Sequence, residues 1–184
     1  MAAVTSALSF ALTLAVPNLP SGVPAATPTA VVVEAPAGGV VSDRDLFDRL
    51  ARADIVYVGE KHDDALHHGV QFEVLKGLHA RRPRLALGLE MVDRGQQASL
   101  DDWAAGRMGD ADFEAFWKKA WGYDFAMYAP LLRYAKTNGL RIVSLNAPRA
   151  VVSKVYRGGL ASLTPAERAL LPASVAQTSD PDYL

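Results

Sequence analysis

Ile55-Val56-Tyr57-Val58-Gly59-Glu60-Lys61-His62 is the stretch on which the reading of this chain turns. A compact β-branched and aromatic run closed by a glycine reads as a buried strand. Charged and imidazole side chains follow it at once. A helix is predicted over 65–80, because Leu66, Val70, Val74 and Leu78 recur four apart along one stripe. Strand, polar loop and helix in that order are the start of a βαβ unit.

The same alternation continues outward. Upstream, a short strand is expected over 30–33, then a break at Gly38-Gly39, then a helix to about 52 opened by the capping-box pattern of Ser42-Asp43-Arg44-Asp45. Downstream, a strand over 85–89 ends in Glu90, and helices follow near 96–105, 112–120 and 127–137. Asn138-Gly139 stops the last of these. A strand over 142–145 comes next, then a helix to about 157 with Pro148 in its first turn. A second capping box, Thr164-Pro165-Ala166-Glu167, opens a short helix to 171. This pattern predicts an α/β fold, a mostly parallel sheet flanked by helices on both faces. Three or four strands make a narrow sheet with an exposed edge. The chain stops in the polar segment Ser179-Asp180-Pro181-Asp182-Tyr183-Leu184 with no closing strand, so a C-terminally incomplete domain over 30–184 is expected.

Composition bounds the function classes. The 184 residues are half hydrophobic and 21% charged, enough for one real core. A net charge of −1 leaves no broad basic footprint for nucleic acid or anionic lipid. Arg81-Arg82-Pro83-Arg84 follows a predicted helix and reads as a solvated C-terminus, where cations suit the dipole. The absence of cysteine removes disulfides, thiolate metal sites and cysteine nucleophiles. Residues 1–16 form an apolar run shorter than the roughly 20 residues a membrane span needs. With small residues at Pro24-Ala25-Ala26 and a Pro-rich linker, residues 1–29 read as a signal-like segment without a positive n-region. Export to the periplasm or cell envelope is the corresponding expectation, with the membrane met only peripherally.

Three predicted strands end in a polar residue, at Glu60, Glu90 and Asn146. Ligands of an open parallel sheet bind outside the carboxyl ends of its strands. If the first two strands are neighbours, Glu60 and Glu90 converge, and two close carboxylates call for a cation. A metal ion, protonated His62, Lys61, Arg94 or Arg149 can supply it. Glu60, His62 and Glu90 together form a candidate N/O site for a divalent metal, or the catalytic set of a hydrolase. The bland alternative is a capping glutamate and a hydrogen-bonded loop histidine. His67 and His68, with Gln71 one turn on, can face the same crevice. His79 reads as a favourable charge at a helix C-terminus. The aromatic stretch from Trp117 through Trp121, Tyr123 and Phe125 to Tyr128 reads as helix-packing core or as an apolar pocket wall. Asn146 and Arg149 beside a helix N-terminus make a natural anion site, or Arg149 pairs with Glu60 or Glu90.

Taken in order, Gly59-Glu60-Lys61-His62-Asp63-Asp64, His67-His68, Leu87-Gly88-Leu89-Glu90-Met91, Arg94 with Gln97, Tyr128 with Pro130-Leu131-Leu132, and Asn146-Ala147-Pro148-Arg149 resemble the ChaN-like haem-binding proteins. That family shares a superfamily with the Tiki metalloproteases and the erythromycin esterases. The resemblance implies a bacterial envelope protein of haem or iron uptake. It also implies a homodimer enclosing stacked haems, tyrosine on the iron, and histidine and lysine of the partner subunit on the propionates. Tyr123 and Tyr128 are the candidate tyrosines; Lys61, His67, His68, Arg94, Asn146 and Arg149 are candidate ligand-binding residues. The related enzymes imply instead metal-assisted or general-base hydrolysis at Glu60, His62 and Glu90. Two departures stand out: the family's later strand and histidine-bearing segment have no counterpart here, and neither does the anchoring cysteine of its lipoproteins.

Overall fold

A computed structural model of the chain describes residues 31–35 and 38–173. The signal-like segment, the linker and the polar C-terminal stretch lie outside the described residues. Along the chain run β1 (Val32–Glu34), β2 (Gly39–Val41), α1 (Asp43–Leu50), α2 (Ala65–His79), β3 (Ala86–Asp93), α3 (Gln97–Ala104), α4 (Asp110–Ala120), α5 (Phe125–Thr137), β4 (Arg141–Asn146), α6 (Arg149–Gly158) and α7 (Pro165–Arg168). The class is α/β, as the alternation predicts. Two compact units divide these elements: one takes the chain to Leu87 together with Tyr123–Arg141, the other takes Gly88–Gly122 and the chain from Ile142 on.

In the first unit, β1 and β2 form an antiparallel hairpin with Val32 opposite Val41. The expected 30–33 strand therefore belongs to a hairpin and not to a parallel sheet. Ser42 caps α1 by accepting the Asp45 N–H, and Asp124 caps α5 by accepting the Ala126 N–H. Leu46 and Leu50 of α1 close on Val74 and Leu78 of α2. On the predicted α2 stripe only Val74 and Leu78 are buried; Leu66 is exposed. The arginines after α2 are structural, since Arg81 donates to Asp48 and Arg82 to the Ala51 and Ala53 carbonyls. His79 lies in the last turn of α2, and its Nδ1 is 2.9 Å from the Tyr134 hydroxyl.

The segment 55–58 corrects the reading that opened the sequence. It is not a ladder strand. Val56 and Val58 pack on the core while Ile55 and Tyr57 are 54% and 77% exposed, so the period-2 pattern is kept without burial on both faces. Side chains take its flanking carbonyls, Arg82 at Ala53 and Gln71 at Val58.

In the second unit, β3 and β4 make a parallel two-stranded sheet. β3 continues to Asp93, which puts Glu90 inside a strand and not at its end. Trp103 and Phe113 stack with centroids 4.1 Å apart, and with Trp117 they form an aromatic core. Gln97, at the start of α3, spans β4 from the side: its Oε1 accepts the Ser144 N–H and its Nε2 donates to the Ile142 carbonyl. Thr164 and Glu167 complete the predicted capping box of α7, and Glu167 also receives Lys154 of α6 at 2.7 Å.

Candidate functional site

The functional side chains of the first unit gather where the extended segment gives way to α2. Asp64 caps that helix by accepting the Leu66 N–H, and this bond holds its carboxyl below the usual carboxylate range. The cap fixes His67 and His68 in the first turn, pointing back over the loop that carries Glu60, Lys61 and His62.

Glu60 is the centre of the cluster, its side chain only 3% exposed. Its Oε1 accepts the Tyr128 hydroxyl at 2.8 Å and lies 2.7 Å from His62 Nδ1. A carboxylate at Nδ1 selects the tautomer with its lone pair on Nε2, the arrangement that orients a metal-ligating or proton-accepting histidine. Glu60 Oε2 is buried without a hydrogen bond; His68 Nδ1 stands 2.9 Å away, off the line a hydrogen bond needs. His68 is itself buried. It holds the loop, its Nε2 3.1 Å from the His62 carbonyl and its Nδ1 3.3 Å from Gln71 Oε1.

Two more residues edge the cluster. Lys61 sends its backbone N–H to His67 Nδ1 at 2.8 Å while its exposed ammonium stands 3.5 Å from Asp63. Tyr123, 40% exposed, tilts against His62 at 5.0 Å between ring centroids. Tyr128 differs sharply from it. At 1% exposure, its ring against His68 and its hydroxyl on Glu60, it presents no face to a ligand.

The remaining candidates belong to the second unit, where two of the four have structural partners. Arg94 donates to the Leu170 carbonyl and Asn146 to the Glu90 carbonyl. Glu90 is exposed on β3. Arg149 is exposed at the start of α6. The sequence reading offered Tyr128 as helix-packing core or as a haem ligand; it is buried, and its pairing with Glu60 was missed. It missed the role of Gln97 too, and no local signal marks either contact.

Comparison with known proteins adds three findings. A family model described as haem-binding uptake, Tiki superfamily, ChaN matches residues 46–184. Protein RETICULATA-RELATED 5, chloroplastic, of Arabidopsis thaliana is 27% identical over 135 residues, 68% of this chain and 18% of that protein. A solved structure described as cofacial heme binding to ChaN of Campylobacter jejuni shares 20% identity with a TM-score of 0.58, covering 70% of this chain and 52% of that one. The chain thus spans about half of the bacterial protein and under a fifth of the plant one. At that identity the structural likeness carries the fold alone.

Proposed function

Because the chain belongs to the ChaN family of haem-binding uptake proteins in the Tiki superfamily, we propose that it binds haem, with Tyr123 on the iron and His62 beside it. The observation that carries this reading is the Tyr123–His62 ring pair, the tyrosine 40% exposed and the histidine oriented by buried Glu60. A phenolate or imidazole donor is what haem iron takes from protein. Lys61 and His67, next to this pair in the chain, suit the propionates. Uptake of haem iron, assembly as a homodimer, and export led by residues 1–16 extend the same reading; cell fractionation and sedimentation test the last two.

Titrating the full chain with haemin and following the Soret band tests the core of it. We expect a saturable shift that Tyr123→Phe weakens and Tyr128→Phe leaves in place. A folded protein with no saturable shift, or one indifferent to Tyr123→Phe, overturns the assignment. A second reading, metal-assisted hydrolysis, is favoured by one observation, the buried Glu60 Oε2 without a hydrogen bond. Glu60 and His62 would hold the divalent cation, with Glu90 the third ligand that the sequence reading names. Tyr123→Phe separates the two readings, since it removes the proposed iron ligand and leaves Glu60 and His62 in place.

A further inference from the structure

The chain's net charge of −1 hides a local excess of the opposite sign in the second unit. Between residues 149 and 173 stand four cations, Arg149, Lys154, Arg157 and Arg168, against one acid, Glu167. Glu167 takes up Lys154 at 2.7 Å, and Arg168 donates to the Pro172 and Ala173 carbonyls. Arg149 and Arg157 are exposed near the two ends of α6. Arg157 donates its Nε to the Ser153 carbonyl one turn back, a bond that uses neither of its terminal nitrogens.

Apolar side chains share the face with these arginines. Val151 is buried, so the opposite side of α6 meets solvent. Arg149, Val152, Ser153, Tyr156 and Arg157 recur three and four apart along that side, and all are exposed. Val152 is 52% exposed and Tyr156 91%. Leu160, in the turn that packs back on α6, is exposed as well. A cluster of exposed apolar groups rimmed by charge marks an interaction surface. A ring as exposed as Tyr156 stands out from the surface and does not wall a groove. A folded partner would need a hollow fitted to it, whereas a fluid layer yields to it.

We propose that this face of α6 seats the protein peripherally on an anionic lipid bilayer. Val152, Tyr156 and Leu160 enter the headgroup layer, and Arg149 and Arg157 meet lipid phosphates. Helices with an apolar row flanked by cations lie in the plane of such an interface. Arginine covers apolar surface with its stem while its guanidinium reaches a phosphate, and tyrosine pairs an apolar body with a wet tip. Tyr123, His62 and Glu60 lie in the first unit, so lipid attachment and ligand binding are tested apart.

Cosedimentation of the full chain with phosphatidylcholine vesicles, with and without phosphatidylglycerol, tests this. Any pull from the apolar run 1–16 is common to every variant and shows on the neutral vesicles. Binding should be stronger on the anionic vesicles and should fall as salt rises. Arg157→Gln should weaken it by about fivefold, the share of one arginine at an anionic surface. Tyr156→Ser should weaken it too, while Arg44→Gln, at an 87% exposed arginine of the first unit, should leave it unchanged. Equal binding to both kinds of vesicle overturns the proposal. So does indifference to Arg157→Gln and Tyr156→Ser in protein shown by circular dichroism to be folded. Either rival occupant overturns it as well. A dimer that forms without lipid and that Tyr156→Ser dissociates gives the face to a second copy. Retention on an acidic polypeptide as strong as on vesicles, and lost in the same variants, gives it to a protein.

Discussion

The Tyr128 hydroxyl reaches across 68 positions of chain to donate to Glu60 Oε1 at 2.8 Å. It ties α5 to the loop before α2 through two side chains that are both almost wholly buried. Tyr128→Phe should therefore lower stability by about 1–2 kcal/mol, the range for a lost bond to a carboxylate. Glu60→Ala should cost about 2–4 kcal/mol, since it removes the acceptor facing Tyr128, His62 and His68 together. Urea unfolding of the two variants and of the double variant checks both values, and the cycle should return a coupling well above zero.

Gly77 lies in α2 where a Cβ would meet the Phe47 ring at 2.4–2.6 Å. Helix propensity alone would favour Gly77→Ala by about 1 kcal/mol. Overpacking against a rigid ring costs about 1–3 kcal/mol, so the net change should be destabilising. Thermal unfolding of Gly77→Ala, alone and with Phe47→Leu, decides it; the second change should recover most of the loss.

Lys154, first among its causes, holds the Glu167 carboxyl at about 2, below its ordinary 4.5, with help from the Thr164 N–H and hydroxyl. A lowered carboxylate pKa stabilises the fold fully above the ordinary value, and that share fades as pH falls toward the folded value. The α6–α7 junction should accordingly loosen between about pH 4.5 and 2. Amide exchange at α7 followed through that window should show it, and Lys154→Ala should flatten the response. The pair is half-buried and near solvent, so the effect is local and partly screened by salt.

Arg82 replaces strand pairing near the end of α1 by donating to the Ala51 and Ala53 carbonyls at 3.3 and 2.8 Å. Arg82→Ala should cost about 1–2 kcal/mol, because bonds from a charged donor are the stronger kind. Arg84→Ala, at an exposed neighbour, should change stability by less than about 0.5 kcal/mol. Paired urea titrations test the contrast.

Helix ends were legible because capping is chemistry between near neighbours. Ser42 and Thr164 each accept the N–H three residues on, and each starts a helix, whereas the Asp124 cap, which starts α5 at Phe125 and not at 127, was not read. The strand at 141–146 was legible for a similar reason, its buried Ile142 and Ser144 alternating with more exposed residues. The reading of 55–58 failed because alternation reports a half-buried surface, which Val56 and Val58 do form. It says nothing of whether another strand lies alongside. In the site, the acid and the histidines stood out as residue types near a glycine. Their long-range partner Tyr128 did not, since its burial depends on how α5 packs on α2.

Gln97 covers one flank of β4 with its side-chain amide. Oxygen from one residue to the Ser144 N–H and nitrogen from the same residue to the Ile142 carbonyl is the pattern by which a residue of a parallel strand grips its neighbour. One side-chain amide thus stands in for a missing strand opposite Val143. Open sheet edges recruit other chains, and proteins blunt them by covering or charging them. The amide makes the flank of β4 unavailable as a template, so this small sheet is shielded from self-templated growth by a single side chain. Gln97→Leu, which keeps the bulk and loses both bonds, should shift the protein toward concentration-dependent aggregates in light scattering.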